Sequence, residues 1–348
     1  GTWGSGATTV AGGESLRVWS QDNFGEDLLF CIRDGAVYYW DKTNGVATRA
    51  VTLASLSSSA PTIARQVAIS DRDRHAIAFG CNPFGSAVQD KLLIRFSDQE
   101  NLTDWEPTAT NTAGDLIVGT GSEIVAAVET RREVVILTDA SVHSMQYIGP
   151  PFTFGLNQIS LGTSIAGVNA AAAVNDAVFW MGKDRFYLYE GQVITLPCTV
   201  LDTVFDDFNY SQSDKVDASV NSKFNEITWF YPSASSDNND KYVTFNYQEK
   251  VWYYGSLART AWLDRSIKEF PIGASSDGYL YNHENGVDAD GQPLTAYIES
   301  SPVDIQEGEN FAFIRRLLPD VSFLNSTSGA DKEVTFTLKM ENFPGTGY

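Results

Sequence analysis

Histidine is the side chain that most often acts as a general base near neutral pH. This sequence contains three, His75, His143 and His283. None of them lies in a Gly-x-Ser-x-Gly elbow, a His-Glu-x-x-His zinc motif or beside a Cys-x-x-Cys pair. His143 falls in an aromatic, strand-like run, where a hydrogen-bonded structural histidine is expected. The histidines therefore indicate neither nucleophilic catalysis nor a catalytic metal, and we predict that the chain is not an enzyme.

Two loops resemble ligand-binding loops but are incomplete. Residues 119–122 (Gly-Thr-Gly-Ser) lack the third glycine, the lysine and the following helix of a phosphate-binding loop. Residues 288–291 (Asp-Ala-Asp-Gly) begin like a calcium loop, but the later ligands and the closing glutamate are missing. Both segments are predicted to be turns, and we predict no metal and no cofactor.

Paired carboxyl groups are a third kind of chemistry to consider, because glycosidases need two of them roughly 5–10 Å apart. Asp206 and Asp207 are adjacent, so on a helix they point to different sides. A pair assembled from distant parts of the chain stays open, since 44 Asp and Glu are available. Residues 97–105 resemble the Asp-box turn of sialidases, with the acid one place early and Asn101 in place of glycine. That box is a structural turn, so it does not predict an active site.

The overall charge limits the possible partners. Net charge is −20, from 24 Lys and Arg against 44 Asp and Glu, which argues against sequence-specific binding of DNA or RNA. An acidic surface suits solubility, and it would also suit a channel wall past which a polyanion slides. Three distant cysteines, Cys31, Cys81 and Cys198, predict neither a disulfide framework nor a metal site. No run of 18 apolar residues occurs, so no membrane-spanning segment is predicted.

Aromatic hairpins recur along the chain and predict an all-β fold. Their turns are centred near residues 34, 86, 139, 184, 237 and 277, a spacing of roughly 40–54 residues that matches the blades of a propeller. We predict an N-terminal segment at 1–14, a six-unit β-propeller-like domain at 15–290 and a separate β-rich platform element at 291–348. The same hairpins could build two β-sandwiches.

Two segments do not follow the repeat. Residues 195–209 carry apolar side chains at helical spacing and predict a short helix. Beyond Pro293 the pattern changes to three longer strands, at 294–300, 311–318 and 334–340. The C-terminal element is expected to be incomplete at its end.

Four segments, residues 95–105, 145–155, 179–184 and 251–255, together resemble virion proteins of short-tailed and related bacteriophages. The resemblance spans roughly residues 75–348, and its motifs are structural turns and aromatic strands. Tail nozzle proteins are among the members that the chain resembles. The resemblance implies a hexameric ring in the virion tail that extends the DNA channel below the portal and adaptor. It also implies retention of packaged DNA and docking of spikes or fibres.

The candidate contact residues lie in one proline-rich loop and are Pro150, Pro151, Phe152 and Phe154. The prolines stiffen the loop, and rigid aromatic side chains are favoured anchors in protein interfaces. The simpler alternative is that both phenylalanines pack against the chain's own rim. Two other functions also stay open: a phage polysaccharide-degrading enzyme and a carbohydrate-binding propeller.

Overall fold

The computed structural model describes residues 16–70, 73–286, 288–293, 297–300, 313–323 and 333–340. Six small antiparallel sheets follow one another along the chain, and the first strands of successive sheets lie side by side. Each sheet is one blade of a six-bladed β-propeller. The predicted all-β fold is confirmed, and the propeller is the correct choice over the pair of sandwiches.

The first three blades each contain four strands in sequence order, so every strand pairs with the next one by a hairpin connection. Blade 1 contains β1 (Trp19–Phe24), β2 (Asp27–Ile32), β3 (Val37–Trp40) and β4 (Val51–Thr52). Blade 2 contains β5 (Gln66–Ile69), β6 (Ala76–Phe79), β7 (Leu93–Phe96) and β8 (Gly114–Ile117). Blade 3 contains β9 (Ile124–Glu129), β10 (Val134–Thr138), β11 (Ser141–Gly149) and β12 (Thr153–Leu161).

The last three blades follow the same order, and the sixth has three strands among the described residues. Blade 4 contains β13 (Ala171–Val174), β14 (Ala177–Met181), β15 (Phe186–Tyr189) and β16 (Val193–Leu196). Blade 5 contains β17 (Asp217–Asn221), β18 (Glu226–Tyr231), β19 (Lys241–Asn246) and β20 (Val251–Ser256). Blade 6 contains β21 (Ala261–Leu263), β22 (Ile272–Ala274) and β23 (Leu280–Asn282).

Short helices connect some of these elements. The helix α1 (Leu53–Leu56) lies between blades 1 and 2, and α2 (Leu201–Phe205) lies between blades 4 and 5. The second of these confirms the helix predicted within residues 195–209. Two 3-10 turns occupy Lys42–Asn44 and Tyr210–Lys215. Within the described residues, no helix is long and apolar enough to cross a bilayer.

The hydrophobic core lies between the blades, because each sheet covers its apolar faces with its neighbours. One buried cluster joins blades 3, 4 and 5 around Trp180, Phe186 and Trp229. Another joins blades 1 and 2, and a third joins blades 2 and 3. The innermost strands β1, β5 and β9 line a cavity of about 330 Å³ near the propeller axis.

Blade 6 is attached differently. None of the described hydrophobic side chains in its three strands is buried, and Leu263 and Leu280 are 60% and 74% exposed. The Trp262 indole holds the blade to blade 5, because it donates to the carbonyl of Val220 at 3.1 Å and lies 5.9 Å from the Phe230 ring. Blade 6 therefore has the least packing support of the six.

We expect blade 6 to open locally before the other blades do. Local stability follows buried apolar contact, so its amides should exchange with solvent at least about tenfold faster than those of a buried blade. Hydrogen exchange followed by mass spectrometry would compare peptides covering β21 to β23 with peptides covering β14 and β15. Equal protection in the two sets would contradict this expectation.

The chain divides into two compact units, Gly1–Asn285 and Gly286–Tyr348. In the second unit the described residues form one small hairpin, β24 (Asp288–Ala289) with β25 (Gln292–Pro293). The turn predicted at 288–291 is present, with the Gly291 amide donating to the Asp288 carboxylate at 2.8 Å. The described parts of the three longer strands predicted beyond residue 293 have no regular secondary structure. The rest of those segments, and the segment 1–14, lie outside the described residues.

Candidate interaction site on the third blade

The outer hairpin of blade 3 is the most extended element among the described residues. Its strands β11 and β12 have nine residues each, whereas no other described strand exceeds six. We call β11, β12 and their connection the blade 3 hairpin. Its tip contains the proline-rich loop that the sequence identifies as a candidate contact.

Backbone geometry fixes the shape of the tip. Gly149 has φ +81°, a value that glycine adopts without steric cost. The Pro150–Pro151 peptide bond is cis, and Thr153 also lies in the left-handed region at φ +61°. The Thr153 hydroxyl donates to the carbonyl of Thr112 at 2.9 Å, which ties this end of β12 to the loop before β8. The tip is thus a defined turn with a side-chain anchor in blade 2.

The two candidate phenylalanines have opposite environments. Phe152 is 72% exposed at the tip, beside Ile148, which is 57% exposed. Phe154 is 4% exposed and packs edge-on against three rings, those of His75, Phe96 and Tyr147, at centroid distances of 5.3, 4.9 and 5.7 Å. Phe154 is therefore part of the core, and Phe152 is the side chain that the tip presents to solvent.

A polar chain supports this aromatic cluster. His75 is fully buried, and its Nε2 lies 3.1 Å from the hydroxyl of Thr112. That hydroxyl in turn donates to the carboxylate of Asp98 at 2.7 Å. Burial lowers the pKa of His75, which favours the neutral ring. His75 is thus a structural histidine beside the tip of the blade 3 hairpin.

The blade 3 hairpin belongs to a stretch without charged side chains. No Asp, Glu, Lys or Arg occurs between Asp139 and Asp176, although 20% of the whole chain is charged. Exposed edge strands usually carry charges or are short, because an unprotected edge invites pairing with another chain. β12 is the outermost strand of its blade and has neither form of protection. The absence of charged residues is visible in the sequence, whereas the exposure of Ile148 is visible only in the structure.

The other residues considered for chemistry have structural roles. His143 is buried, and its Nε2 lies 2.9 Å from the hydroxyl of Ser141, as expected for a strand histidine. His283 accepts a hydrogen bond from the Arg259 guanidinium at 2.8 Å, and burial together with Arg259 lowers its pKa to about 4. Asp207 forms an ion pair with Lys241. Among the described residues, no three His, Cys, Asp or Glu side chains are grouped to hold a metal ion.

The three cysteines and the glycine-rich loop are the remaining candidates. Cys31, Cys81 and Cys198 are free thiols whose pKa is raised, chiefly by burial, to about 12, about 12 and about 11. In the loop at 119–122, the backbone amide of Ser122 donates to the Asp139 carboxylate at 2.8 Å. The loop is a turn whose polar groups are satisfied by the protein itself.

Comparison with known proteins gives no family. No protein-family model and no curated protein matches this chain. Similar solved structures include K. marxianus Hsv2, at 10% identity and TM-score 0.43, covering 81% of this chain and 78% of that one. They also include the extracellular domain of a putative one-component system from B. thetaiotaomicron, at 9% identity and TM-score 0.49, covering 82% of this chain and 33% of that one. A third is the AfRom2 CNH domain, at 10% identity and TM-score 0.40, covering 74% of this chain and 90% of that one. None of these similarities identifies a ligand or partner of this chain.

Proposed function

We propose that this chain is a structural protein of a bacteriophage tail. Several copies of the chain assemble there, and each contacts another copy or a neighbouring tail protein through the blade 3 hairpin. The observation that carries the proposal is an exposed, uncharged hairpin with Phe152 at its tip in a chain of net charge −20. Acidic copies repel one another, so a contact is least costly where neither surface adds charge. Exposed aromatic side chains on a fixed turn are favourable interface anchors.

The finer form of the proposal rests on the likeness to tail nozzles. Six copies form a ring in the virion tail that lengthens the DNA channel below the portal and adaptor, holds packaged DNA in place and docks spikes or fibres. DNA passes without sequence-specific binding. The cavity near the propeller axis, about 330 Å³, is of the size of a small-ligand pocket. A duplex, whose major groove alone is about 12 Å wide, does not fit there. The proposed channel therefore runs between copies, along the axis of the ring.

Assembly of the Phe152→Ser variant tests this role. We expect the native chain to form rings, and the variant to shift toward monomers because the contact loses its aromatic anchor. Light scattering coupled to gel filtration and negative-stain electron microscopy would measure the change. The variant should keep its free energy of unfolding within about 0.5 kcal/mol, as surface substitutions usually do.

Phe224→Ser is the matched control, because Phe224 is also an exposed phenylalanine, at 40%, but lies in blade 5. It should assemble as the native chain does. A native chain that remains monomeric at every concentration and cleaves glycans would overturn the proposal in favour of the enzyme alternative. Rings that survive Phe152→Ser would remove the role of the blade 3 hairpin but keep the structural function.

A further inference from the structure

Arg95 is a buried cation that forms no ion pair with any described residue. It lies in β7, is 2% exposed, and its guanidinium donates only to backbone carbonyls among the described residues. These are the carbonyls of Ser59 at 2.7 Å, Trp105 at 2.9 Å and Asn82 at 3.4 Å. Asp115, directly opposite Arg95 in the β7–β8 ladder, is exposed and not within ion-pair distance. Arg95 therefore has no ion-pair partner within the described residues, and Asp115 supports its positive charge only from a longer distance.

A second buried arginine lies just before β5 of the same blade, and its charge is compensated in the usual way, by ion pairs. Arg65 is 4% exposed and forms ion pairs with Glu123 at 2.9 Å and Asp34 at 3.6 Å. Buried charges are expensive unless a counter-charge and hydrogen bonds compensate for the lost water. Burial lowers the pKa of Arg95, in keeping with that cost. Carbonyl dipoles offset part of it but supply no negative charge.

A cavity of about 290 Å³ opens beside Arg95. The residues that line it include Ser58, Thr62 and Phe84. Neither hydroxyl has a hydrogen-bond partner among the described residues, so both are available to a ligand. The Phe84 ring is 49% exposed, and its centroid lies 5.9 Å from the Arg95 guanidinium carbon. One cation, two hydroxyl donors and one aromatic face thus converge on a small concave site.

We propose that this cavity binds an oxyanion, a carboxylate or phosphate group, on Arg95 with Ser58 and Thr62 as further donors. An oxyanion supplies a negative charge that no described residue places within ion-pair distance, and the N–H groups of Arg95 that are not bonded to carbonyls can donate to it. Phe84 provides an apolar surface for whatever carries the anionic group. This binding site is independent of the proposed tail function and goes beyond it.

Isothermal titration calorimetry at constant ionic strength tests the site with three probes: inorganic phosphate, glucuronate and glucose. We expect saturable, one-to-one binding of at least one of the two anions and none of glucose. Tighter binding of glucuronate would identify a carboxylate on a ring as the preferred source, and tighter binding of phosphate would identify a free or terminal phosphate. No saturable binding of either anion would overturn the proposal.

Variants separate the site from non-specific ion effects. Arg95→Gln should weaken binding at least about tenfold, since it removes the charge that attracts the anion. The double variant Ser58→Ala, Thr62→Val removes only hydroxyl groups that the protein itself does not use, so it should fold normally and weaken binding several-fold. This second variant keeps the test valid if Arg95→Gln does not fold.

Arg132→Gln is the control. It changes an arginine that is 80% exposed on another blade, and the variant should bind the anion as the native chain does. Equal binding by all variants would overturn the proposal.

Discussion

Phe154→Ala should lower the free energy of unfolding by about 3–5 kcal/mol, the usual cost of truncating a buried phenylalanine. Phe154 fills the space between His75, Phe96 and Tyr147, and its ring meets all three edge-on. Its removal loses both the buried apolar area and the ring contacts, and leaves a cavity between blades 2 and 3. The neighbouring rings are fixed by strands on both sides, so they cannot close the cavity without moving the sheets.

Urea unfolding, monitored by tryptophan fluorescence, would measure this loss. Phe152→Ala is the matched control, because the same side chain is removed two residues away at a position that is 72% exposed. We expect the control to change the free energy of unfolding by less than about 0.5 kcal/mol. A large loss in both variants would mean that the tip of the blade 3 hairpin packs against the propeller, as the simpler sequence interpretation held.

The sequence alone could not separate these two phenylalanines. In a regular strand, residues two apart point to the same side, so Phe152 and Phe154 looked equivalent. The alternation fails because Thr153 has φ +61° and β12 begins only at that residue. Phe152 therefore belongs to the turn and Phe154 to the strand. A positive φ at a β-branched residue has no local sequence signal, since tertiary contact at the Thr153 hydroxyl supports it.

The blades were predictable because most of their middle strands are rich in aromatic or aliphatic residues and their turns are chemically distinct. All six predicted hairpins join the second and third strands of a blade, from β2–β3 to β22–β23. The turns contain residues suited to positive φ, such as Asp34 and Gly278. The spacing of these turns was enough to give the number of blades.

The innermost strands were missed for a physical reason. β13 reads Ala-Ala-Ala-Val and β17 reads Asp-Ala-Ser-Val-Asn, compositions that do not favour strands in isolation. Strands nearest the propeller axis have little room for side chains, so small residues fit there. Their strand conformation is imposed by the hydrogen bonds of the next strand outward and by the neighbouring blades. Such tertiary control leaves no period-2 pattern of large apolar residues to detect.

One polar side chain in an inner strand, that of Asp217, makes the free energy of unfolding depend on pH. Asp217, the first residue of β17, is 9% exposed and accepts a hydrogen bond from the Ser219 hydroxyl at 3.2 Å. Burial raises its pKa from 3.8 to about 7, because the charged carboxylate has lost most of its water. Its strand partner Phe230 faces Trp262 of blade 6, so Asp217 lies on the weakly packed side of blade 5.

Ionisation of Asp217 lowers the free energy of unfolding because the folded protein binds the Asp217 proton more tightly than the unfolded chain does. Between pH 4 and pH 7 the folded protein keeps the Asp217 proton while the unfolded chain has released it. The contribution of Asp217 to the free energy of unfolding is therefore greatest near pH 4. It falls as the pH rises toward 7 and stays low at higher pH. A shift of about three pH units corresponds to roughly 4 kcal/mol at most.

Asp217→Asn should therefore stabilise the protein at pH 8 by about 2–4 kcal/mol and leave it nearly unchanged at pH 4, since the neutral amide copies the protonated acid in shape. Urea unfolding of both proteins at pH 4, 6 and 8 measures the difference. Asp237→Asn changes an exposed acid in the same blade and should show no comparable trend with pH.

A gain in the free energy of unfolding that is equal at all three pH values would mean that the introduced amide packs better for reasons unrelated to charge. A loss at pH 8 would mean that the Asp217 carboxylate has a stabilising partner and that blade 5 tolerates its charge. Because Phe230, the strand partner of Asp217, contacts Trp262 of blade 6, the same titration should also loosen blade 6. After correction for the intrinsic pH dependence of amide exchange, the protection of β21 to β23 should fall with rising pH in the native chain but not in the Asp217→Asn variant.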